Sequence, residues 1–252
     1  METPKQTLVK RLFVTHPFGG NLQVNIQPIE KRDSGDGSTL VVHSIFYTIQ
    51  GEGPFCGCPA IFIRLAGCNL RCPSCDTDYT TDAERMSISE IVNEVASKKM
   101  LHKLVVITGG EPFRQNISPL CKLLLDTIDC TVQIETNGTL APSPDFPGNV
   151  VIVCSPKTGK VHPEIEARAV AYKYVMAHDS MRADGLPQFA LGHGAFPHVA
   201  RPNPRHQRIV YLQPMDAQDP EENAANLKAV VDSCLEHGHV LQLQVHKLVN
   251  LE

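Results

Sequence analysis

The sequence predicts an α/β chain built on one mostly parallel sheet, with too few helices to close a full (β/α)8 barrel. A partial, open barrel is the expected architecture. Three observations carry this. Short apolar runs of strand length recur from residue 40 to the C-terminus and outnumber the helical patterns. One crossover, residues 141–148, holds Pro142, Pro144 and Pro147 and is not helical. The length of 252 residues and the 42% hydrophobic content suit one domain of barrel size.

Residues 1–38 are weakly patterned, and 31–38 are polar and Gly-rich, so they read as a linker. What precedes is either a short extension packed on the body or a disordered tail. The core domain is expected over 39–252. Strands are expected at 40–45 and 60–65. Ser87 and Glu90 form a capping box that opens a helix to about Met100, with Ile91, Val92, Val95 and Ala96 on one face. A buried strand at 103–108 follows, then a helix at 117–128, then strands at 131–135, 150–154, 171–176 and 209–212. Asp219, Pro220, Glu221 and Glu222 open the last helix, and Gly238 ends it. Its stripe is Leu227, Val230, Val231 and Cys234. A strand at 240–246 is expected to alternate Leu241, Leu243 and Val245 against Gln242, Gln244 and His246. The stretch 184–207 has no period and reads as a long surface excursion, a lid or a dimer contact.

A net charge of −4 and a pI near 6.3 give no electrostatic case for nucleic acid or membrane partners. Nine cysteines, an odd number, argue for a reducing cytoplasm and against a disulfide framework. The apolar runs are too short for a transmembrane helix. Lys5, Lys10 and Arg11 are followed by no h-region, so a secretory signal is not expected.

Cys68, Cys72 and Cys75 form a C-x3-C-x2-C triplet just after the run 60–65. Three thiolates this close suit a soft metal centre. On a [4Fe-4S] cluster they leave one iron open to bind a small molecule. The plain alternative is structural zinc, with Cys56 or Cys58 as fourth ligand. The triplet resembles the signature of the radical S-adenosylmethionine (SAM) enzymes. In that superfamily the open iron takes the amine and carboxylate of SAM, which one electron cleaves to methionine and a 5′-deoxyadenosyl radical.

Further motifs end predicted strands, where parallel α/β folds place ligands. Gly109-Gly110-Glu111-Pro112 lets backbone approach a ligand closely and matches the SAM amino-group motif. Glu135-Thr136-Asn137-Gly138 suits the SAM ribose or carboxylate, or is a capped turn. Ser155-Pro156-Lys157 suits polar SAM contacts, or Lys157 is a solvated lysine. Gln50-Gly51-Glu52-Gly53 can read the edge of a pterin or purine-like ring, or is a polar turn. Arg64 interrupts an apolar strand and needs a partner. It clamps a carboxylate bidentately, or pairs structurally with Glu52 or Glu111.

Gln50–Gly53, Arg64, Cys75-Asp76-Thr77, Gly109–Pro112, Ser155–Lys157 and Gln213-Pro214-Met215-Asp216 occur in one order. Together they resemble the 7-carboxy-7-deazaguanine synthase family of radical SAM lyases, from about Val42 to the C-terminus. The resemblance implies a modified, incomplete barrel and a homodimer in the cytoplasm. It implies conversion of 6-carboxy-5,6,7,8-tetrahydropterin to 7-carboxy-7-deazaguanine with loss of ammonia, on the way to queuosine. It implies a [4Fe-4S] cluster on Cys68, Cys72 and Cys75, SAM, and Mg2+ on Thr77, with an electron donor such as flavodoxin or ferredoxin. Ser74, Cys75, Asp76, Gly110, Ser155, Pro156, Lys157, Gln213 and Asp216 are then SAM residues. Ile49, Gln50, Gly51, Glu52, Arg64 and Thr108 contact the substrate. The extra N-terminal residues and the stretch 184–207 depart from the compact family pattern, and some members use the C-terminal end at the substrate. Competing readings are a glycyl-radical activase, and a non-enzymatic iron-sulfur or zinc protein.

Overall fold

The computed structural model describes residues 11–15, 21–98, 101, 103–193 and 198–251. Lys5, Lys10, Met100 and residues 194–197 of the excursion lie outside the described residues. A hairpin of β1 (Arg11–Thr15) and β2 (Asn21–Asn25) precedes the body. The main sheet takes β3 (Thr39–Ile49), β4 (Pro59–Leu65), β5 (Glu84–Ser87), β6 (Leu104–Gly109), β7 (Thr131–Thr136), β8 (Val151–Cys154), β9 (Ala171–Met176), β10 (Ile209–Pro214) and β11 (Val240–Leu241). Its order is β11-β10-β9-β8-β7-β6-β4-β3-β5. Every neighbouring pair from β4 to β11 is parallel, and β3 runs antiparallel to β4 and to β5. From β6 to β11 the strands follow one another in chain order across the sheet, so the winding keeps one direction, as in a barrel wall, while β5 folds back to the edge beside β3. β5 and β11 end the order without pairing to each other, which leaves the barrel open.

One sheet face carries the large core. Ile61, Ile63, Val105, Ile107, Val132, Ile134, Ile152, Tyr172 and Leu212 meet α1 (Ile88–Ser97), α2 (Ser118–Ile128), α3 (Pro163–Arg168) and α4 (Pro220–His237) there. Strand alternation sends the intervening residues to the other face. At the end where the strands start, that face is apolar, with Ala60, Leu104, Val106 and Phe62. Towards the strand ends it becomes polar, with Arg64, Thr108, Gln133, Glu135, Lys173 and Gln213.

The helix signals read from the sequence hold. Glu90 N–H donates to Ser87 Oγ at 3.2 Å, and Ser87 N–H donates to Glu90 Oε2 at 2.8 Å. Asp219 accepts from the amides of Glu221 and Glu222, and Gly238 closes α4 at φ 74°. Other expectations change. The stripe of α4 keeps Val230 and Cys234 against the core and adds buried Asn226 and Ser233, while Leu227 is 39% exposed. Asn226 accepts from His178 N–H and donates to Met215 O, and Ser233 donates to Gly185 O, so buried polar groups dock this helix. The strand expected at 240–246 stops at Leu241, and the chain turns into α5 (Val245–Leu248). The excursion is anchored, since Leu186, Ala190 and Val199 join the core and Arg201 pairs with Asp184 at 2.6 Å. β5 and α3, of four and six residues, are too short to carry a period in the sequence. Among the described residues, no helix is long and apolar enough to cross a membrane.

Candidate active site

The loop after β4 carries the three cysteines. Cys68 and Cys72 are buried and Cys75 is half-buried. Burial raises all three thiol pKa values, those of Cys68 and Cys75 to about 12. Such thiols stay protonated and inert until a metal displaces the proton. Among the described residues, no three His, Cys, Asp or Glu side chains converge on a single ion. A cluster asks for something different, one thiolate per iron. Three soft donors on one water-shielded loop fit that demand. Lys157 faces them: its charge counters the effect of burial at Cys72, and its ammonium donates to both oxygens of Ser155.

The end of β6 is seated directly against this loop. Gly109 has φ 136°, and a Cβ there would stand 2.0 Å from Leu65 O. A Cβ on Gly110 would stand 2.1 Å from Gly67 O and 2.8 Å from Cys68 Cβ. Only glycines permit the approach. Glu111, fully buried, accepts from Thr136 Oγ1, Asn137 N–H and Phe113 N–H at 2.7–3.1 Å. Burial nevertheless raises its pKa to about 7. Its backbone N–H donates to Gly67 O at 3.0 Å. Asn137 donates to Asn69 Oδ1, and Asn69 donates to Thr139 Oγ1, so the end of β7 also grips the cysteine loop.

Beneath the loop lies the polar half of the barrel interior. Lys173 Nζ donates to Glu52 and, at 3.3 Å, to Glu135. Burial opposes the charge on Glu52, but Lys173 outweighs it and holds the carboxyl below its usual range. Gln50 Nε2 donates to Glu135 Oε1 at 2.9 Å, Gln133 Nε2 to the same oxygen at 3.1 Å, and Gln244 Nε2 to Glu52 Oε1 at 2.9 Å. Gln133 Oε1 and Gln213 Oε1 are buried without a protein partner among the described residues. Buried acceptors of this kind call for a ligand or water. Arg64, the register partner of Thr108, lays its guanidinium over Phe46 at 4.9 Å. Glu52 and Glu111 are engaged by the groups just named. Ile49 ends β3, directly before Gln50.

Asp76 and Asp216 converge on one ammonium, Lys247 Nζ, at 3.1 and 3.5 Å. Thr77 Oγ1 donates to Asp76 Oδ1 at 3.2 Å. The residues that follow β4, β6, β8 and β10 are thus Cys68–Thr77, Gly110–Glu111, Ser155–Lys157 and Met215–Asp216, while Gln50–Gly53 follow β3, whose end pairs with the start of β4.

Residues 62–145 match the family model described as the Radical SAM superfamily. A curated protein of Rhodospirillum rubrum, 7-carboxy-7-deazaguanine synthase, is 40% identical over 89% of this chain and 97% of its own length. The Rickettsia prowazekii protein of the same name is 42% identical over 87% of this chain and 92% of its own. This chain belongs to the 7-carboxy-7-deazaguanine synthase family. A crystal structure titled QueE from Escherichia coli superposes with a TM-score of 0.63 at 25% identity, covering 84% of this chain and 99% of that one.

For a member of this family, the structure adds residues that sequence reasoning missed. Lys173 is one of these, and its signal in the sequence is a lysine inside the strand-length run 171–176. Gln242, Gln244 and His246 do not alternate along a strand, which ends at Leu241. Instead Gln242 Oε1 accepts from Gly53 N–H at 2.7 Å, and Val245 N–H donates to Gly51 O at 3.3 Å. A Cβ on Gly51 would stand 1.9 Å from His246 Nδ1, so the Gln-Gly-Glu-Gly loop needs its glycine to receive the C-terminal helix. Cys56 is exposed and Cys58 packs on Ala60, Leu104 and Val106.

Proposed function

We propose that this chain converts 6-carboxy-5,6,7,8-tetrahydropterin to 7-carboxy-7-deazaguanine with release of ammonia, as a radical SAM lyase of queuosine-precursor biosynthesis. The observation that carries the reading is the stacking of a three-cysteine loop on a polar, carboxylate-lined interior, in a chain that spans nearly the whole length of its relatives. When bound, a [4Fe-4S] cluster and SAM supply the 5′-deoxyadenosyl radical that takes hydrogen from the substrate and later returns it.

Cys68, Cys72 and Cys75 hold the cluster. Ser74, Asp76, Gly110, Ser155, Pro156, Lys157, Gln213 and Asp216 line SAM, and the closeness of Gly110 to Cys68 supports this arrangement. Gln50 and Glu52, pinned by Glu135 and Lys173, read the donor edge of the pterin, with Ile49 and Gly51 beside them. Arg64 and Thr108 take the substrate carboxylate. Thr77, already hydrogen bonded to Asp76, presents a hydroxyl suited to Mg2+, which favours oxygen ligands and retains waters. We place the core domain at 39–252 with an N-terminal extension before it, in a cytoplasmic homodimer served by a flavodoxin- or ferredoxin-type donor. Anaerobic incubation with SAM, reductant and the pterin tests the proposal. Ammonia in step with product supports it, and SAM cleavage without ammonia points to another radical SAM reaction.

A further inference from the structure

The segment before β3 and the excursion at 184–207 both reach the cysteine loop. Asn25, 2% exposed, donates from Nδ2 to Cys72 O at 3.2 Å and from its backbone N–H to Pro73 O at 2.9 Å. Gln27, fully buried, donates from Nε2 to Thr77 O at 2.9 Å, and its Oε1 accepts from Tyr79 N–H at 2.9 Å. Asn25 Oδ1 accepts from both the backbone N–H and the side-chain amide of Gln27, which locks the two together. Glu30 N–H donates to Cys68 O at 2.7 Å. From the excursion, Leu191 O accepts from Ser74 N–H at 3.1 Å.

The loop has no helix or strand to satisfy its own backbone, and buried carbonyls need donors. The N-terminal segment supplies them at Cys68, Cys72, Pro73 and Thr77. We infer that residues 25–30 are a brace that holds the cysteine loop closed and so slows loss of the iron-sulfur cluster, with Asn25 and Gln27 as its positioning residues. The inference rests on the assignment of Cys68, Cys72 and Cys75 as cluster ligands. A cluster escapes when its loop opens locally, and opening is governed by the contacts that must break first. The brace touches backbone carbonyls and not the thiols, so its effect falls on retention and leaves the ligand set unchanged.

The test uses the reconstituted full chain, with Gln27→Met and Asn25→Ala. Iron release to a chelator is followed by loss of cluster absorbance, beside the melting temperature of each apo-protein. Gln27→Met is expected to release iron at least about five-fold faster than the parent, and Asn25→Ala about two- to three-fold faster. The Michaelis constant for SAM is expected to stay within about two-fold. Where Gln27→Met fails to fold, Asn25→Ala, which loses the side-chain donor to Cys72 and the acceptor for Gln27, decides alone. Release at the parent's rate from folded variants overturns the brace while leaving the cluster assignment intact. A parent that takes up no cluster overturns the assignment itself, and the brace with it.

Discussion

Arg64 and Thr108 are register partners on the neighbouring parallel strands β4 and β6, at the level where the barrel interior turns polar. The guanidinium rests on Phe46, itself stacked on Phe62 at 5.4 Å, so its position is fixed by aromatic faces. Lysine has neither the planar fork nor the stacking face. Arg64→Lys is expected to weaken substrate binding by about 1–3 kcal/mol, the range for charged hydrogen bonds, and to leave SAM affinity nearly unchanged. Equal loss of SAM affinity, or a broad drop in melting temperature, would assign Arg64 a structural role.

Lys173 stands between Glu52 and Glu135 in the interior. Removing one partner of a buried ion pair leaves uncompensated charge and typically costs about 3–5 kcal/mol. Lys173→Met is therefore expected to lower stability by that order in chemical denaturation. Adding Glu52→Gln should recover part of the loss. Additive losses in the double variant would mean the pair is not coupled.

His246 packs on Gly51, and burial holds its pKa below the ordinary 6.5. Glu52 and Asp76 favour its charged form, while Lys247 and Lys173 oppose it. The folded state thus prefers neutral imidazole. Below pH 6.5 the unfolded chain takes up the proton first, so stability falls as pH drops towards the folded value and is fully present above 6.5. Melting temperature should decline on acidification from about pH 7 to pH 5, and His246→Gln should flatten the slope. An unchanged slope in the variant would place the titration elsewhere.

Much of the fold was legible because its signals are local. The capping box at Ser87, the Asp219–Pro220 start and the glycine end of α4 need no tertiary information. The C-terminal strand misled because Leu241, Leu243 and Val245 alternate, yet that alternation serves a chain turning over the barrel mouth. In the site, the motifs with glycine or cysteine stood out. Lys173 and Gln244 did not, since their partners lie 121 and 192 residues away. Asn25 and Gln27 lie in the weakly patterned stretch 1–38.

Thr77→Ala is expected to retain iron and bind SAM, because only a hydroxyl is removed beside Asp76. Turnover should lose its magnesium dependence and most of its rate. Ammonia release measured against magnesium concentration checks this, and a response equal to the parent's would remove Thr77 as ligand.

A cluster on Cys68, Cys72 and Cys75 that serves SAM chemistry on a pterin underlies every step proposed for this chain. Its most direct measurement is ammonia release from carboxytetrahydropterin by the anaerobically reconstituted protein, with Cys68→Ala, Cys72→Ala and Cys75→Ala beside Cys56→Ala and Cys58→Ala. Parent, Cys56→Ala and Cys58→Ala should hold iron and release ammonia with product, while the three loop variants lose both iron and SAM cleavage. One zinc per chain with no SAM affinity in the parent, or cluster loss in Cys56→Ala or Cys58→Ala, would rule out a SAM-binding cluster on these three cysteines.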